Sequence, residues 1–249
     1  MKKLFTLAFA ALAVLAASAQ YCCTVPGTVL EYASSATGED GKTIETTVTA
    51  TVLDATTGAD GIVSVKTEEV TPIPGSDFGK VTEYAYSSYN PADSITTVII
   101  AGEADSKASV VNLIKASAEA AGQTLSDGQI KELEESIKVK GALKLELKPG
   151  IAAGTKIANQ TLRLSFGPET MVMNMWEAQY GGYESVEVPA GTFECIKVSY
   201  VQNIKMGTNK QKNYITSWYA PGIGLVRSVS ADKKGTENTR TELASVKEP

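Results

Sequence analysis

No histidine occurs anywhere in the 249 residues. Its absence removes Ser-His-Asp and Cys-His catalysis, together with the commonest ligands of a zinc site. The side chains left with chemical character are three cysteines (Cys22, Cys23, Cys195), the methionines, the aromatics and many carboxylates. Met171, Met173 and Met175 alternate along an expected strand, so they share one face, while Val172, Asn174 and Trp176 share the other. Three flexible thioethers on one face make an adaptable apolar wall, either ordinary sheet core or the wall of a lipid-like ligand cavity. Thioethers also bind copper(I), but no histidine or larger methionine cluster supports that third reading. The adjacent aromatics Trp218 and Tyr219 suit stacking on a sugar or lining a cavity mouth. Ser230 and Lys233 have a Ser-x-x-Lys spacing, but they lie in a polar turn before Gly235, which reads as a solvated loop. Neither a Walker loop nor a dinucleotide fingerprint occurs. No pair of carboxylates stands out as a hydrolytic site. A non-enzymatic role is expected, with no cofactor and no metal.

The cysteines pose a separate question. Neighbouring cysteines bridge each other only with strain, so a disulfide would join Cys195 to Cys22 or Cys23. On the loop-entropy model such a bond stabilises by at most about 5 kcal/mol. Three reduced thiols are the alternative. Along its strand, Cys195 shares a face with Lys197, Ser199 and Lys205, whereas Ile196, Val198, Tyr200, Ile204 and Met206 share the other. That places Cys195 on the more polar side, within reach of an N-terminal segment crossing outside the sheet. Asp93-Ser94-Ile95 fits a short Asp-Ser/Thr-aliphatic pattern of O-glycosylated exported bacterial proteins, which makes Ser94 a modification candidate.

These residues must be positioned mainly by strands. Thr43 to Leu53 alternates with period two, and Gly61 to Val70, Lys80 to Ser87 and Ser94 to Ala101 continue the pattern. Asp40-Gly41 and Asp60-Gly61 favour tight turns between the runs. Connections this short make the pairing antiparallel. A helical insertion follows at about 106–138. Val110, Leu113, Ile114 and Ala121 recur at helical spacing. A second helix starts at a Ser126/Gln129 capping box, with Leu125 and Ile130 at the staple positions. Lys131/Glu135 and Glu134/Lys138 are i,i+4 pairs along it. No acidic twelve-residue loop accompanies the two helices, which excludes an EF-hand. Strands return at Val139 to Leu147, Thr161 to Phe166, Glu169 to Tyr180, Tyr183 to Val188, Thr192 to Met206, Lys212 to Ala220, Gly224 to Ala231 and Asn238 to Val246. The expected fold is α+β and mostly β. A large curved antiparallel sheet, a half-barrel, would pack on one or two inserted helices in a single domain, 20–249.

The chain opens with an export signal. Lys2 and Lys3 form a basic start, Leu4 to Leu15 an apolar run, and Ala17-Ser18-Ala19 a cleavage site, so residues 1–19 read as a signal peptide cut between Ala19 and Gln20. The apolar run is too short to span a bilayer, and no later segment is long and apolar enough. Lipid attachment needs a small residue before the acylated cysteine, and Tyr21 precedes Cys22. Cleavage removes Lys2 and Lys3, taking the net charge from −5 to about −7. An acidic chain without a basic run is a poor partner for nucleic acid. The mature protein is expected in the periplasm or outside the cell.

Val188-Pro189-Ala190-Gly191-Thr192-Phe193-Glu194-Cys195 and Ser217-Trp218-Tyr219-Ala220-Pro221-Gly222-Ile223-Gly224-Leu225-Val226 together resemble the TapB-like group of exported bacterial proteins, which has no established activity. The matching core is roughly residues 183 to 230, with weaker agreement from Gly27 to Val52. The resemblance implies an antiparallel half-barrel embracing helices, similar to the LolA/LolB lipoprotein carriers, and carries over no catalytic residue. The leading expectation is thus an exported binding protein whose apolar or amphipathic small-molecule ligand lies between sheet and helices, against Met171, Met173, Met175, Trp176, Trp218 and Tyr219. The alternative is a surface or periplasmic module that binds glycan or protein through exposed aromatics, Trp218 and Tyr219 foremost.

Overall fold

The computed structural model of the chain describes residues 20–38, 41–72 and 79–249. The proposed leader (1–19) and Asp40 of the first Asp-Gly turn lie outside the described residues. Period-two alternation of apolar and polar side chains turns most of the rest into strand. The strands are β1 (Val29–Thr37), β2 (Thr43–Thr57), β3 (Val63–Pro72), β4 (Lys80–Asn90), β5 (Ile95–Ala101), β6 (Lys138–Gly141), β7 (Leu143–Leu147), β8 (Gln160–Phe166), β9 (Glu169–Val188), β10 (Gly191–Met206), β11 (Asn209–Ala220), β12 (Gly224–Ala231) and β13 (Glu237–Lys247). Between β5 and β6 come α1 (Glu103–Ala120) and α2 (Asp127–Ser136).

All thirteen strands belong to one sheet, ordered β6-β8-β9-β10-β11-β12-β13-β1-β2-β3-β4-β5-β7. Every pairing is antiparallel, and β13 joins β1, bringing the C-terminal strand beside the N-terminal one. The two edge strands, β6 and β7, are separated in sequence by Ala142 alone. A sheet whose opposite edges are one residue apart must curl until they meet. The result is a nearly closed barrel, an α+β fold that is mostly β.

The closing seam uses side chains where a backbone ladder would otherwise run. Lys144 N–H on β7 donates to Gln160 Oε1 on β8 (2.7 Å), and Gln160 Nε2 donates back to the Lys144 carbonyl (2.9 Å). The Tyr180 hydroxyl of β9 donates to the Glu146 carbonyl. Gly141, at the sharp exit from β6, has φ +85°, and a Cβ there would lie 2.1 Å from the Thr161 carbonyl oxygen, so only glycine fits. The expected single strand from Val139 to Leu147 is therefore two strands on opposite edges. The runs expected at 169–180 and 183–188 form one strand, β9, with Gly181 and Gly182 inside it.

The helices cover what the sheet leaves open. β5 pairs only with Tyr86–Asn90 of β4, so the first half of β4 has a free edge. α1 lies along it: Asn112 Nδ2 donates to the Thr82 carbonyl (2.8 Å), and the Ser109 hydroxyl donates to Glu83 (3.3 Å). α1 starts at Glu103, before the expected start of the insertion at about 106, because Asp105 accepts the Gly102 N–H (2.8 Å). In α2 the expected Ser126/Gln129 box forms, with Gln129 N–H donating to Ser126 Oγ (3.3 Å) and Ser126 N–H to Gln129 Oε1 (2.9 Å). Lys138 does not reach Glu134; it donates to the Glu135 carbonyl (2.7 Å) and so neutralises the helix end.

The main core joins Leu143, Leu145 and Leu147 of β7 to Leu162, Leu164, Met175, Ile196, Val198, Tyr200 and Tyr219, with Val111 of α1 and Ile137 after α2. A second cluster holds Leu30, Tyr32, Val186, Val188, Cys195, Val226 and Leu243. A third holds Cys22, Cys23, Val52, Val65 and Tyr89.

Candidate functional site

The N-terminal segment occupies the barrel interior. Tyr21 is 2% exposed; its N–H donates to Thr96 Oγ1 (2.8 Å), and its hydroxyl shares a hydrogen bond with that of Tyr183 (3.2 Å). The Gln20 carbonyl accepts from Gly222 N–H (2.7 Å). Gly224 has φ +101°, and a Cβ added there would sit 3.6 Å from the Cα of Cys22. The Pro-Gly hairpin between β11 and β12 is thus the seat of residues 20–24. Nothing in the local pattern of either stretch discloses this, because the two lie some 200 residues apart in the chain.

Beyond this plug lies a cavity of about 110 Å³. Cys22, Cys23, Leu30, Val52, Val65, Val98 and Leu225 supply its apolar wall, and Tyr32, Tyr219, Thr67 and Ser87 its few polar groups. Register explains why these side chains converge. Val65 stands opposite Ser87, Thr67 opposite Val52 and Ala85, and Leu30 opposite Ala50. The same alternation brings in Glu69, the only charged residue on the lining among the described residues. From Val65 to Glu69 the strand advances roughly 13 Å, so the carboxylate marks one end of the space. Its cross-strand partner is Glu83, the residue that receives Ser109 of α1. Among the described residues Glu69 has no hydrogen-bond or ion-pair partner. Burial, and secondarily the charge of Glu83, raises its pKa above the usual carboxylate value. Sequence alone held a signal for it. Val63, Val65 and Thr67 define the inward face of β3, and Glu69 is next on that face.

Other groups around the cavity are held protonated. Burial raises the Tyr32 phenol well above its ordinary value, that of Tyr219 to about 12 and the Cys22 thiol to about 11. None is an activated nucleophile at neutral pH.

The residues expected to bind ligand are dispersed. Met171, Met173 and Met175 do share a face, and all three pack into the main core, Met175 with no exposure; none lines the cavity. Trp176 points outward and is 37% exposed. Tyr219 is buried and lines the cavity. Trp218, its neighbour, faces the other way. Its Nε1 donates to Glu184 (2.5 Å), with Lys197 Nζ 5.4 Å and the Arg227 guanidinium 5.8 Å from its rings. Two successive strand residues face opposite sides, so Trp218 and Tyr219 form no shared stacking platform.

All three cysteines are free and buried. The expectation that Cys195 lies on the more polar side is corrected: it is 0% exposed among Val186, Val188, Val226 and Leu243. The β9–β10 hairpin packs over β12 and β13 there, with Ala190 N–H donating to the Leu243 carbonyl (3.1 Å), and this covers a face the strand pattern alone leaves open. Cys22 and Cys23 sit in a different cluster, inside rather than outside the sheet. Ser94 has φ 58° and lies partly exposed in the β4–β5 turn, where Asp93 accepts the Ile95 N–H (3.1 Å). Among the described residues no group of three His, Cys, Asp or Glu is placed to hold a metal ion, and no helix is long and apolar enough to cross a membrane.

A protein-family model described as DUF3108-like matches residues 142–243. That stretch contains both motifs, 188–195 and 217–226. Among solved structures, the chain is similar to a candidate exported protein with a YmcC-like fold from Bacteroides fragilis. There the TM-score is 0.64 at 18% identity, over 92% of this chain and 100% of that one. It is also similar to a candidate lipoprotein from Parabacteroides distasonis, with a TM-score of 0.63 at 17% identity, over 92% of this chain and 99% of that one. At these identities the likeness is one of fold. No curated protein matches the chain.

Proposed function

We propose that this chain is an exported, non-enzymatic binding protein that holds the apolar part of a lipid-like or amphipathic ligand inside its barrel. The apolar cavity between the N-terminal plug and Glu69 carries the reading. Its size suits the end of an alkyl or acyl chain; drug-sized ligands occupy about 300–1,000 Å³. A sugar would leave its hydroxyls unpaired against this wall. The leader of residues 1–19 directs the chain out of the cytoplasm, to the periplasm or beyond, after cleavage before Gln20. The fold neighbours, described as exported or as a lipoprotein, agree with that destination. The protonated Cys22 thiol and Tyr32 phenol at the cavity support a role in binding rather than turnover.

Native mass spectrometry on protein purified from its own host, with no delipidation step, tests the proposal. We expect a bound species of lipid-like mass that is released on denaturation. A clean apo mass would overturn it.

A further inference from the structure

We propose that the cavity selects an amphiphile whose head is a cation, a protonated amine, seated on the Glu69 carboxylate with the apolar chain running toward Cys22 and Cys23. This rests on the cavity being a ligand seat, and it adds what the ligand must carry.

The argument starts from what Glu69 does not do. It caps no helix, joins no ion pair and receives no hydrogen bond among the described residues, although it lines an otherwise uncharged cavity. Fold stability gains nothing from it, since an unpaired carboxylate in such a place opposes folding. Glu83 directly across the ladder makes the position worse, because like charges opposite one another on a sheet repel. A group that breaks local rules without structural return, inside a cavity, marks function. Burial raises its pKa, so the free site lacks a counter-charge, and a bound cation would supply it.

The geometry fits an amphiphile. The wall from Cys22 and Cys23 through Val52 and Val65 is apolar apart from Ser87, and Thr67 precedes Glu69 on the same face of β3. A chain inserted from the Glu69 end therefore buries its methylenes against valines and leaves its head at the carboxylate, with Glu83 adding a second negative charge close by. Burial of the tail is common to any amphiphile, at about 0.8 kcal/mol per methylene. Discrimination falls to the head. A carboxylate head would meet two glutamates, and a hydroxyl would gain one hydrogen bond without charge.

The test compares octylamine, octanol and octanoate binding to the full mature protein at pH 8 by isothermal titration calorimetry, for the wild type and Glu69→Gln. We expect octylamine to bind at least tenfold more tightly than octanol, octanoate to bind weakest, and Glu69→Gln to abolish the preference for octylamine over octanol measured on the same variant. Octanol binding as tightly as octylamine to the wild type would overturn the cationic head and leave the cavity reading standing. A Glu69→Gln variant that folds and keeps the amine preference would overturn it as well. If none of the three probes binds, the ligand-seat reading fails together with this one. The wild-type comparison decides the matter even if the variant does not fold.

Discussion

The outer face around Trp218 and the barrel interior around Glu69 treat charge in opposite ways. Outside, Arg227, Arg240 and Lys197 are each paired with a carboxylate. Arg227 bridges Glu242 (2.7 Å) and donates to the Glu187 carbonyl (2.5 Å), Arg240 reaches both Glu237 (2.6 Å) and Glu242 (3.1 Å), and Lys197 pairs with Glu184 (3.4 Å). Glu31 at another edge accepts from Lys247 (2.7 Å) and Ser245 (2.6 Å), and those bonds lower its pKa. Inside, Glu69 faces Glu83 with no cation, and its pKa is raised. A solvated face gives each ion pair only modest stability, and salt screens it. Glu69, partly buried and unpaired among the described residues, costs stability where it faces the exposed Glu83. Outer charges therefore belong to the architecture and inner ones to what the barrel holds.

The largest effect we expect comes from extending the inner pattern to a place the fold does not provide for. Val65→Asp puts a carboxylate at the floor of the cavity, beside Val52 and Tyr89, where Val65 is now 3% exposed. Burying it, even protonated, and losing the valine contacts together should cost about 3 kcal/mol or more. Urea unfolding monitored by tryptophan fluorescence measures this. A loss under about 1 kcal/mol would mean that the cavity is wet and open to charge throughout, which would dissolve the contrast between its floor and its Glu69 end.

Next in size is the outer face. Arg227→Ala removes the ion pair with Glu242, the bond to Glu187 and the contact over Trp218 together. Arg227 and Glu242 are each 22% exposed, intermediate between surface and core, so we expect a loss of about 1–2 kcal/mol, shrinking as salt is raised to 1 M. A salt-independent loss would assign the residue's role to packing instead of charge.

How much of this could be read from the chain follows from the range of the interactions involved. Alternation and turn residues are local, so the hairpins from β2 to β5 and from β8 to β13 were legible, as was the Ser126/Gln129 box. The division of Val139–Leu147 was not. Its alternation runs through Ala142, and only the contact of Gly141 with Thr161 and the Gln160 bridge to Lys144 decide that its halves serve opposite edges. The methionines were legible as a face but not as filled core, because that depends on Leu162, Leu164 and β7 arriving opposite them. The alternation of side chains along a strand is enough to separate Trp218 from Tyr219, yet their adjacency suggests one platform. Glu69 was the most accessible omission, a carboxylate placed in phase with Val63, Val65 and Thr67.

The smallest effect has the opposite sign and the sharpest pH signature. The groups facing Glu69 are Glu83 on β4, Tyr32 on β1 and Tyr219 on β11, and none is cationic. With its folded pKa above its unfolded one, Glu69 keeps a proton in the folded chain that the unfolded chain has already lost. Stability from this group is therefore full below the unfolded carboxylate pKa of about 4.3 and declines as pH rises through the folded value. Glu69→Gln cannot ionise and has no such decline. We expect the variant to match the wild type in thermal unfolding at pH 4 and to exceed it in Tm at pH 8, in the absence of ligand. Octylamine should then raise the wild-type Tm at pH 8 toward that of the variant, since a bound cation offsets the same charge. A variant less stable than the wild type at pH 8 would show that Glu69 has a structural partner, and the distinction between outer and inner charges would have to be withdrawn.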